Sequence, residues 1–332
     1  VKILVTGSSG FLGSWISTKL LDLGHSVVGV DNLEGGSYQD PREDFHCLDV
    51  CSGDDMAEVA KGCEAVYHCA ALAYEGLSVF SPRMIVENIV GGTVSVAVAA
   101  INAGVKRFVN CSSMARYGDN QVPYEECMRP CPVDPYGAAK VAAEDQLNLL
   151  GRVHGMMVVH AVPHNIYGPR QKYDDPFRNV ASIFANRMLQ NLPPIIYGDG
   201  HQVRCFSYID DVLPTMLALL EADVRHGEVF NVGPGNEDGI TVNRLCQLLR
   251  ELTGYTGGSQ YTADRPCEVR VAICSSQKIK ERFGFVQRTG TRLGLRALID
   301  DIRERGPKPF VYHLPIEIDS PKVPRTWKER LM

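Results

Sequence analysis

Residues Thr6-Gly7-Ser8-Ser9-Gly10-Phe11-Leu12-Gly13 join an apolar run, residues 1–5, to a stretch with helical spacing. Few architectures place three glycines at that interval between a strand and a helix. Gly7 permits a tight turn, Gly10 lets the backbone approach a bulky anion, and Gly13 lets the helix pack closely on the strand. The helix N-terminus then presents unpaired N–H groups to phosphate. In its strand–turn–helix context the segment reads as a dinucleotide-binding turn, spaced GxxGxxG rather than GxGxxG.

The helical spacing runs over residues 11–23 and stops at Gly24. Apolar strands are predicted at 26–30, 65–69, 107–111 and 156–162, with helices at 83–103 and 136–154 between them. Strands alternating with helices imply βαβ units and a parallel sheet covered on both faces. Beyond Pro163 turns become frequent, and helices are predicted at 180–190, 210–222, 242–252 and 276–283. The expected fold is α/β: a Rossmann-type doubly wound parallel sheet over residues 1–162 and a smaller α+β substrate domain over 163–332. Residues 203–224 are expected to return to the first domain. The Pro-rich tail from Gly306 is expected to lie along the surface.

The chain has 332 residues, enough for two domains of ~150. Its net charge of −5 and the lack of any Lys/Arg block argue against a nucleic-acid partner, so an anionic ligand needs a local arginine cluster. No uninterrupted apolar run reaches the ~18 residues of a membrane span. The longest, 94–105, is broken by Ser95, Asn102 and Gly104. The sequence opens directly on a strand, without the pattern of a signal peptide. Eleven scattered cysteines, an odd number, read as reduced thiols of a cytoplasmic protein. Cys47/Cys51 and Cys127/Cys131 lack a following His pair, so no metal is expected.

Asp31 ends the second strand, where a carboxylate accepts both ribose hydroxyls of NAD and repels the 2′-phosphate of NADP. Asp49 and Val50 close another short segment that can edge the adenine. Tyr136 and Lys140, one helical turn apart, share a face. A neighbouring ammonium favours phenolate, which makes Tyr136 a candidate base. Ser113 stands at the C-terminal edge of a parallel strand, where such folds bind ligands, and its hydroxyl can hold a substrate hydroxyl.

These residues carry a wider resemblance. Together with Asp31-Asn32-Leu33, His68-Cys69-Ala70-Ala71, Asn88-x-x-Gly91-Gly92-Thr93, Ser112-Ser113 with Tyr117-Gly118, and Tyr136-Gly137-x-x-Lys140-x-x-x-Glu144, the chain resembles the extended short-chain dehydrogenase/reductase family, and within it the UDP-sugar 4-epimerases. The likeness continues through Asn165-Ile166-Tyr167-Gly168-Pro169-Arg170, Tyr197-Gly198-Asp199-Gly200, Gln202-x-Arg204, Asp210-Asp211-Val212 and Arg265-Pro266-x-Glu268-Val269.

The resemblance implies a triad of Ser113, Tyr136 and Lys140, with Lys140 also holding the nicotinamide ribose. It places Gly7, Gly10, Phe11, Leu12, Gly13, Asp31, Asn32, Asp49, Val50, Cys69, Ala70, Ala71, Asn88, Cys111 and Pro163 with Tyr136 and Lys140 around NAD. It places Asn165, Asn179, Val180, Tyr197, Arg204, Arg265 and Glu268 with Ser113 around a UDP-sugar, Arg204 and Arg265 clamping the diphosphate. Ala272 matches the residue that gates the sugar pocket, and its small size implies room for N-acetylated sugars. Met114 and Ala115 stand where 4,6-dehydratases carry an Asp-Glu pair, which argues against dehydration. Cys205, Ser275 and the Pro163-His164 pair also depart from the pattern. The implied assembly is a homodimer through helices 86–103 and 136–150. The competing readings are a 4-keto-sugar reductase, a UDP-glucuronate epimerase or decarboxylase, and an NAD-sensing scaffold.

Overall fold

The computed structural model describes residues 1–235 and 239–332. Its seven-stranded parallel sheet is built from β1 (Lys2–Thr6), β2 (Ser26–Asp31), β3 (Asp44–Cys47), β4 (Ala65–His68), β5 (Arg107–Cys111), β6 (Met157–Pro163) and β7 (Glu228–Val232). The spatial order is β7-β6-β5-β4-β1-β2-β3. The order reverses at β1, which pairs with β2 on one side and β4 on the other. A crevice opens at such a switch point, outside the carboxyl ends of the strands.

Alternation along the strands sorts the core into two layers. Ile3, Val5, Tyr67, Val109, Val159 and Phe230 face one side, where they meet Ile16 and Leu20 of α1 (Phe11–Asp22) and Val212 and Met216 of a helix at Ile209–Ala218. Leu4, Val28, Val66, Phe108 and Val158 face the other and meet Met56, Val96, Ala97, Ala100 and Leu147. Each such side chain, fully buried, contributes ~1.5–3 kcal/mol.

Two helices cover that second face: α2 (Pro82–Asn102), which carries a wider π turn at Glu87–Gly91, and α3 (Pro135–His154). By length and composition α2 could cross a membrane, which the interrupted apolar run did not suggest. Here Ile85, Ile89, Val96, Ala97 and Ala100 are buried within the protein. Asp134 caps α3: its Oδ1 accepts the Gly137 N–H at 2.8 Å, and Pro135 fills the first helical position.

The second half is not a separate block. Glu228–Val232 supplies the sheet's last strand, pairing with β6, and Ile209–Ala218 packs against α1. The returning portion therefore extends past the expected residues 203–224. The smaller lobe is built around helices Val180–Leu189, Val242–Thr253 and Thr291–Arg305, the last not anticipated from sequence. Phe184, Leu245, Leu249, Leu295 and Ile302 form its core. The tail also departs from expectation. Leu314, Val323 and Trp327 are buried in a cluster with Tyr74, Phe80, Tyr136 and Phe177, so the Pro-rich segment packs behind residues that line the cleft instead of trailing over the surface.

One buried carboxylate ties α3 to the end of β5. Glu144 accepts from the Ser112 hydroxyl and pairs with Arg116 at 3.0 Å, both ion-pair side chains being 6% exposed or less. Removing one partner of a buried pair strands the other charge and costs roughly 3–5 kcal/mol. Glu144→Ala is therefore expected to lose that amount in urea unfolding, with an unchanged denaturant slope. A loss under about 1 kcal/mol would show that Arg116 finds other compensation.

Candidate functional site

A single cleft runs across the carboxyl ends of the strands and between the two lobes. At one end lies the glycine turn. Gly7 adopts φ +70°, and a Cβ there would sit 2.7 Å from the Ala70 amide nitrogen. A Cβ on Gly13 would sit 2.0 Å from the Gly7 carbonyl, so strand and helix meet closer than any side chain allows. Gly10 is the N-cap of α1 and supplies no side chain to cap it, which leaves first-turn N–H groups facing the cleft. Asp31 closes this end. Its carboxylate accepts from the Ser9 amide at 3.0 Å and the Leu33 amide at 2.7 Å, which fixes its orientation.

The middle of the cleft holds the catalytic candidates. Ser113 follows β5, and its hydroxyl accepts from the Ala115 amide at 3.2 Å. Lys140 donates to the Cys111 carbonyl at 2.9 Å, and its ammonium lies 5.9 Å from the Tyr136 ring centre. Burial pushes the Tyr136 phenol up, while interaction with Ser113 pulls it down; Glu75 and Asp134 push it further up, and Arg178 opposes them. Lys140, also buried, is lowered. The expected depression of the Tyr136 pKa by Lys140 is therefore not seen in the chain by itself: desolvation is the largest influence on the phenol, and its direction is up.

At the far end, Arg265 donates to Glu268 at 3.0 Å, while Arg204 lies 3.7 Å from the same carboxylate. The Arg265 guanidinium stacks 4.7 Å from the Tyr197 ring centre, and the Tyr197 hydroxyl meets Thr326 at 2.6 Å. This is the arginine cluster that an anionic ligand requires, held fanned by one carboxylate.

All the residues expected around the cofactor line this cleft, and so do Ser113, Asn165, Asn179, Val180, Tyr197, Arg204, Arg265 and Glu268. Some are already committed. Asn179 caps the helix Val180–Leu189, its Oδ1 accepting from Ala181 at 3.0 Å and its Nδ2 donating to Ile166, so the helix-end N–H groups are what it offers a ligand. Asn165, at φ 43°, donates to the Cys205 carbonyl at 3.0 Å. Ala272 is the exception. It pairs in register with Arg204 but packs in a core cluster with Tyr117, Tyr124, Val162 and Cys274, away from the cleft lining.

Among the charged residues of the cleft that were not anticipated, Glu75, Asp134 and Arg178 act on Tyr136. Arg178 stacks 4.6 Å from the Tyr74 ring centre and pairs with the buried Asp175 at 3.6 Å. None belongs to a spacing pattern, so only the fold brings them to Tyr136. Two of the departures find partners: His164 Nε2 donates to the Pro234 carbonyl at 3.0 Å, and Cys205 donates to Gly235 at 3.2 Å. The Cys69 and Cys111 sulfurs lie 3.4 Å apart on the cleft floor.

Asp134 generates a test. Burial, reinforced by the nearby Glu75, pushes its carboxyl from 3.8 to about 6. The folded chain thus holds this proton more tightly than the unfolded one. Its contribution is full below pH ~4 and is lost as pH rises to ~6. Asn keeps the cap without the charge. Asp134→Asn should therefore melt higher than wild type at pH 8, by roughly 1–3 kcal/mol of stability, with the gap closing toward pH 4. Equal or lower melting at pH 8 would refute the assignment.

Comparison with known proteins agrees with this geometry. The chain is 30% identical over 317 residues to the UDP-glucose 4-epimerase of Mycolicibacterium smegmatis, spanning 92% of this chain and 99% of that one. Among solved structures it resembles UDP-glucose 4-epimerase of Thermotoga maritima with UDP-glucose, at a TM-score of 0.85 and 33% identity over 92% of this chain and 99% of that one. It also resembles the Thermus thermophilus UDP-glucose 4-epimerase in complex with NAD, at a TM-score of 0.84 and 30% identity over 91% of this chain and 99% of that one. Residues 3–233 match the NAD dependent epimerase/dehydratase family, and the chain belongs to that family.

Proposed function

We propose that the chain is an NAD-dependent 4-epimerase of a UDP-hexose. The observation that carries this reading is the sequence of chemistries along one cleft: a phosphate turn closed by Asp31, then Ser113–Tyr136–Lys140, then the Arg204–Arg265 pair.

NAD fits the residues present. The backbone cradle at Gly7 and Gly13 has no space for a Cβ, and Asp31 is held by two amides with its carboxylate in the cleft. Bound there, NAD would supply the hydride acceptor and donor for the sugar carbon. The chain's own residues move the proton. Tyr136 accepts it from the sugar 4-hydroxyl while Ser113 orients that oxygen. Burial raises the Tyr136 phenol, and a positive charge supplied by an oxidised cofactor in this cleft would favour its phenolate. Arg204 and Arg265 hold the diphosphate, which leaves the sugar ring free to turn.

The family also contains dehydratases, which need an acid and a base beside the catalytic serine. Here Met114 accepts a weak bond from Asn165 and Ala115 is buried, so neither position supplies one. Ala272 lies behind the arginine strand, so its size carries no argument about N-acetylated sugars.

The proposed assembly is a homodimer through α2 and α3, which pack side by side and expose Val86, Val98 and Leu149 at 41%, 47% and 50%. Apolar side chains grouped on adjacent helices suit a partner surface. The proposed location is the cytoplasm, in keeping with eleven cysteines that form no disulfide among the described residues.

Tyr136→Phe should lower turnover of UDP-glucose or UDP-N-acetylglucosamine by about 10²–10⁴ while leaving NAD bound, measured as nucleotide released on denaturation. Retained turnover would remove Tyr136 as the base. Val98→Glu combined with Leu149→Glu should convert a sedimenting dimer to monomer at micromolar concentration. An unchanged sedimentation coefficient would move the interface elsewhere.

A further inference from the structure

Glu75 opens the short helical turn Glu75–Ser78 and lines the cleft. Its side chain faces the lumen, not the outer surface, so it is accessible to solvent and yet desolvated by the surrounding walls. Among the described residues its carboxylate has no hydrogen-bond or ion-pair partner. Arg204 and Arg265 act on it, and it acts in turn on Tyr136 and Asp134. Its neighbour Gly76 is equally close to this machinery: a Cβ there would sit 3.1 Å from Arg265 Nη1.

That position is informative because of what must lie between its neighbours. The arginines take the diphosphate, and Tyr136 takes a proton from the sugar. The sugar ring therefore spans the gap that Glu75 faces. An unpartnered carboxylate in a desolvated wall needs donors, and a hexose supplies hydroxyls in abundance. A carboxylate on the sugar would instead meet a like charge. Glu75 has Asp134 and Glu268 among its acidic neighbours, so the repulsion is not isolated. Two such charges at ~4 Å interact by several kcal/mol in a partly desolvated site.

We infer that Glu75 selects the substrate: it accepts hydrogen bonds from the hydroxyls of a neutral UDP-hexose and excludes UDP-sugars bearing a carboxylate. The inference rests on the reading of the site as a UDP-sugar pocket and goes beyond it by naming the class admitted and the residue responsible. It also turns the site away from hexuronates, which some enzymes of this general kind accept.

Calorimetric titration of the NAD-loaded protein with UDP, UDP-glucose and UDP-glucuronate tests it through binding, with no readout of activity. The wild type should bind UDP-glucuronate at least about tenfold more weakly than UDP-glucose. Glu75→Gln, isosteric and uncharged, should bring that ratio to within about threefold by gaining affinity for UDP-glucuronate, and Glu75→Ala should do the same. Melting curves with and without NAD establish that the variants are folded. A wild-type ratio near one, or a ratio unchanged in both variants, would overturn the inference while leaving the UDP-sugar site in place. Failure of UDP itself to bind would instead remove the pocket assignment on which the inference stands.

Discussion

Glu144 holds the catalytic geometry together. The reacting groups come from two places that chain connectivity does not join rigidly: Ser113 from the loop after β5, Tyr136 and Lys140 from α3. Between them lie more than twenty residues of turns. The Glu144 carboxylate, one turn past Lys140 on the same helical face, receives Ser112 and Arg116, the residues that bracket Ser113. A buried ion pair contributes little net stability against an apolar replacement, but it fixes register because neither charge tolerates being left alone. Lys140 adds a second tie, from the helix to the Cys111 carbonyl at the strand end. The hydroxyl and the phenol are thus placed by a polar brace below the cleft, and the cleft itself remains open for ligands.

The same burial that fixes the site works against its chemistry. Tyr136 is pushed up, Lys140 down, and Asp134 and Glu75 up, each toward its neutral form. A desolvated site penalises charge whatever its sign. The chain by itself therefore does not hold a phenolate. Its acids and bases are poised, and under the proposed reading the charges of the ligands would complete the field, a cationic nicotinamide toward Tyr136 and an anionic diphosphate toward Arg204 and Arg265. Glu268 keeps those arginines oriented meanwhile.

How much of this was legible in the sequence follows from the kind of signal each feature leaves. The glycine turn and the alternating strands were readable because backbone geometry dictates residue type there: no side chain fits at Gly7 or Gly13. Tyr136 and Lys140 were readable because one helical turn separates them. β3 was missed because its edge position leaves Asp44–Cys47 polar and only partly buried. The tail was misread because proline content suggests an exposed strand of chain, whereas Leu314, Val323 and Trp327 supply the apolar anchors. Glu75, Asp134 and Arg178 left no trace, since a charged residue in a turn looks the same whether it faces water or a cleft. Ala272 shows the opposite error: a position matched by counting along the chain falls one layer behind the wall it was expected to form.

The distribution of charge resolves the conflict between a net charge of −5 and an anionic pair of ligands. Positive groups are spaced along the cleft, with Arg178 and Lys140 in the middle and Arg204 and Arg265 at the far end. The acids Asp31, Glu75 and Asp134 line the same cleft, and Glu268 pairs with the arginines. Long-range attraction is therefore weak, and local pairing must carry recognition. Such a site reads its ligands by the order of phosphate, ribose and sugar along its length. A ligand with its charge one group out of place meets a carboxylate where it needs an arginine, and the cleft gains selectivity from the same acids that lower its overall pull on anions.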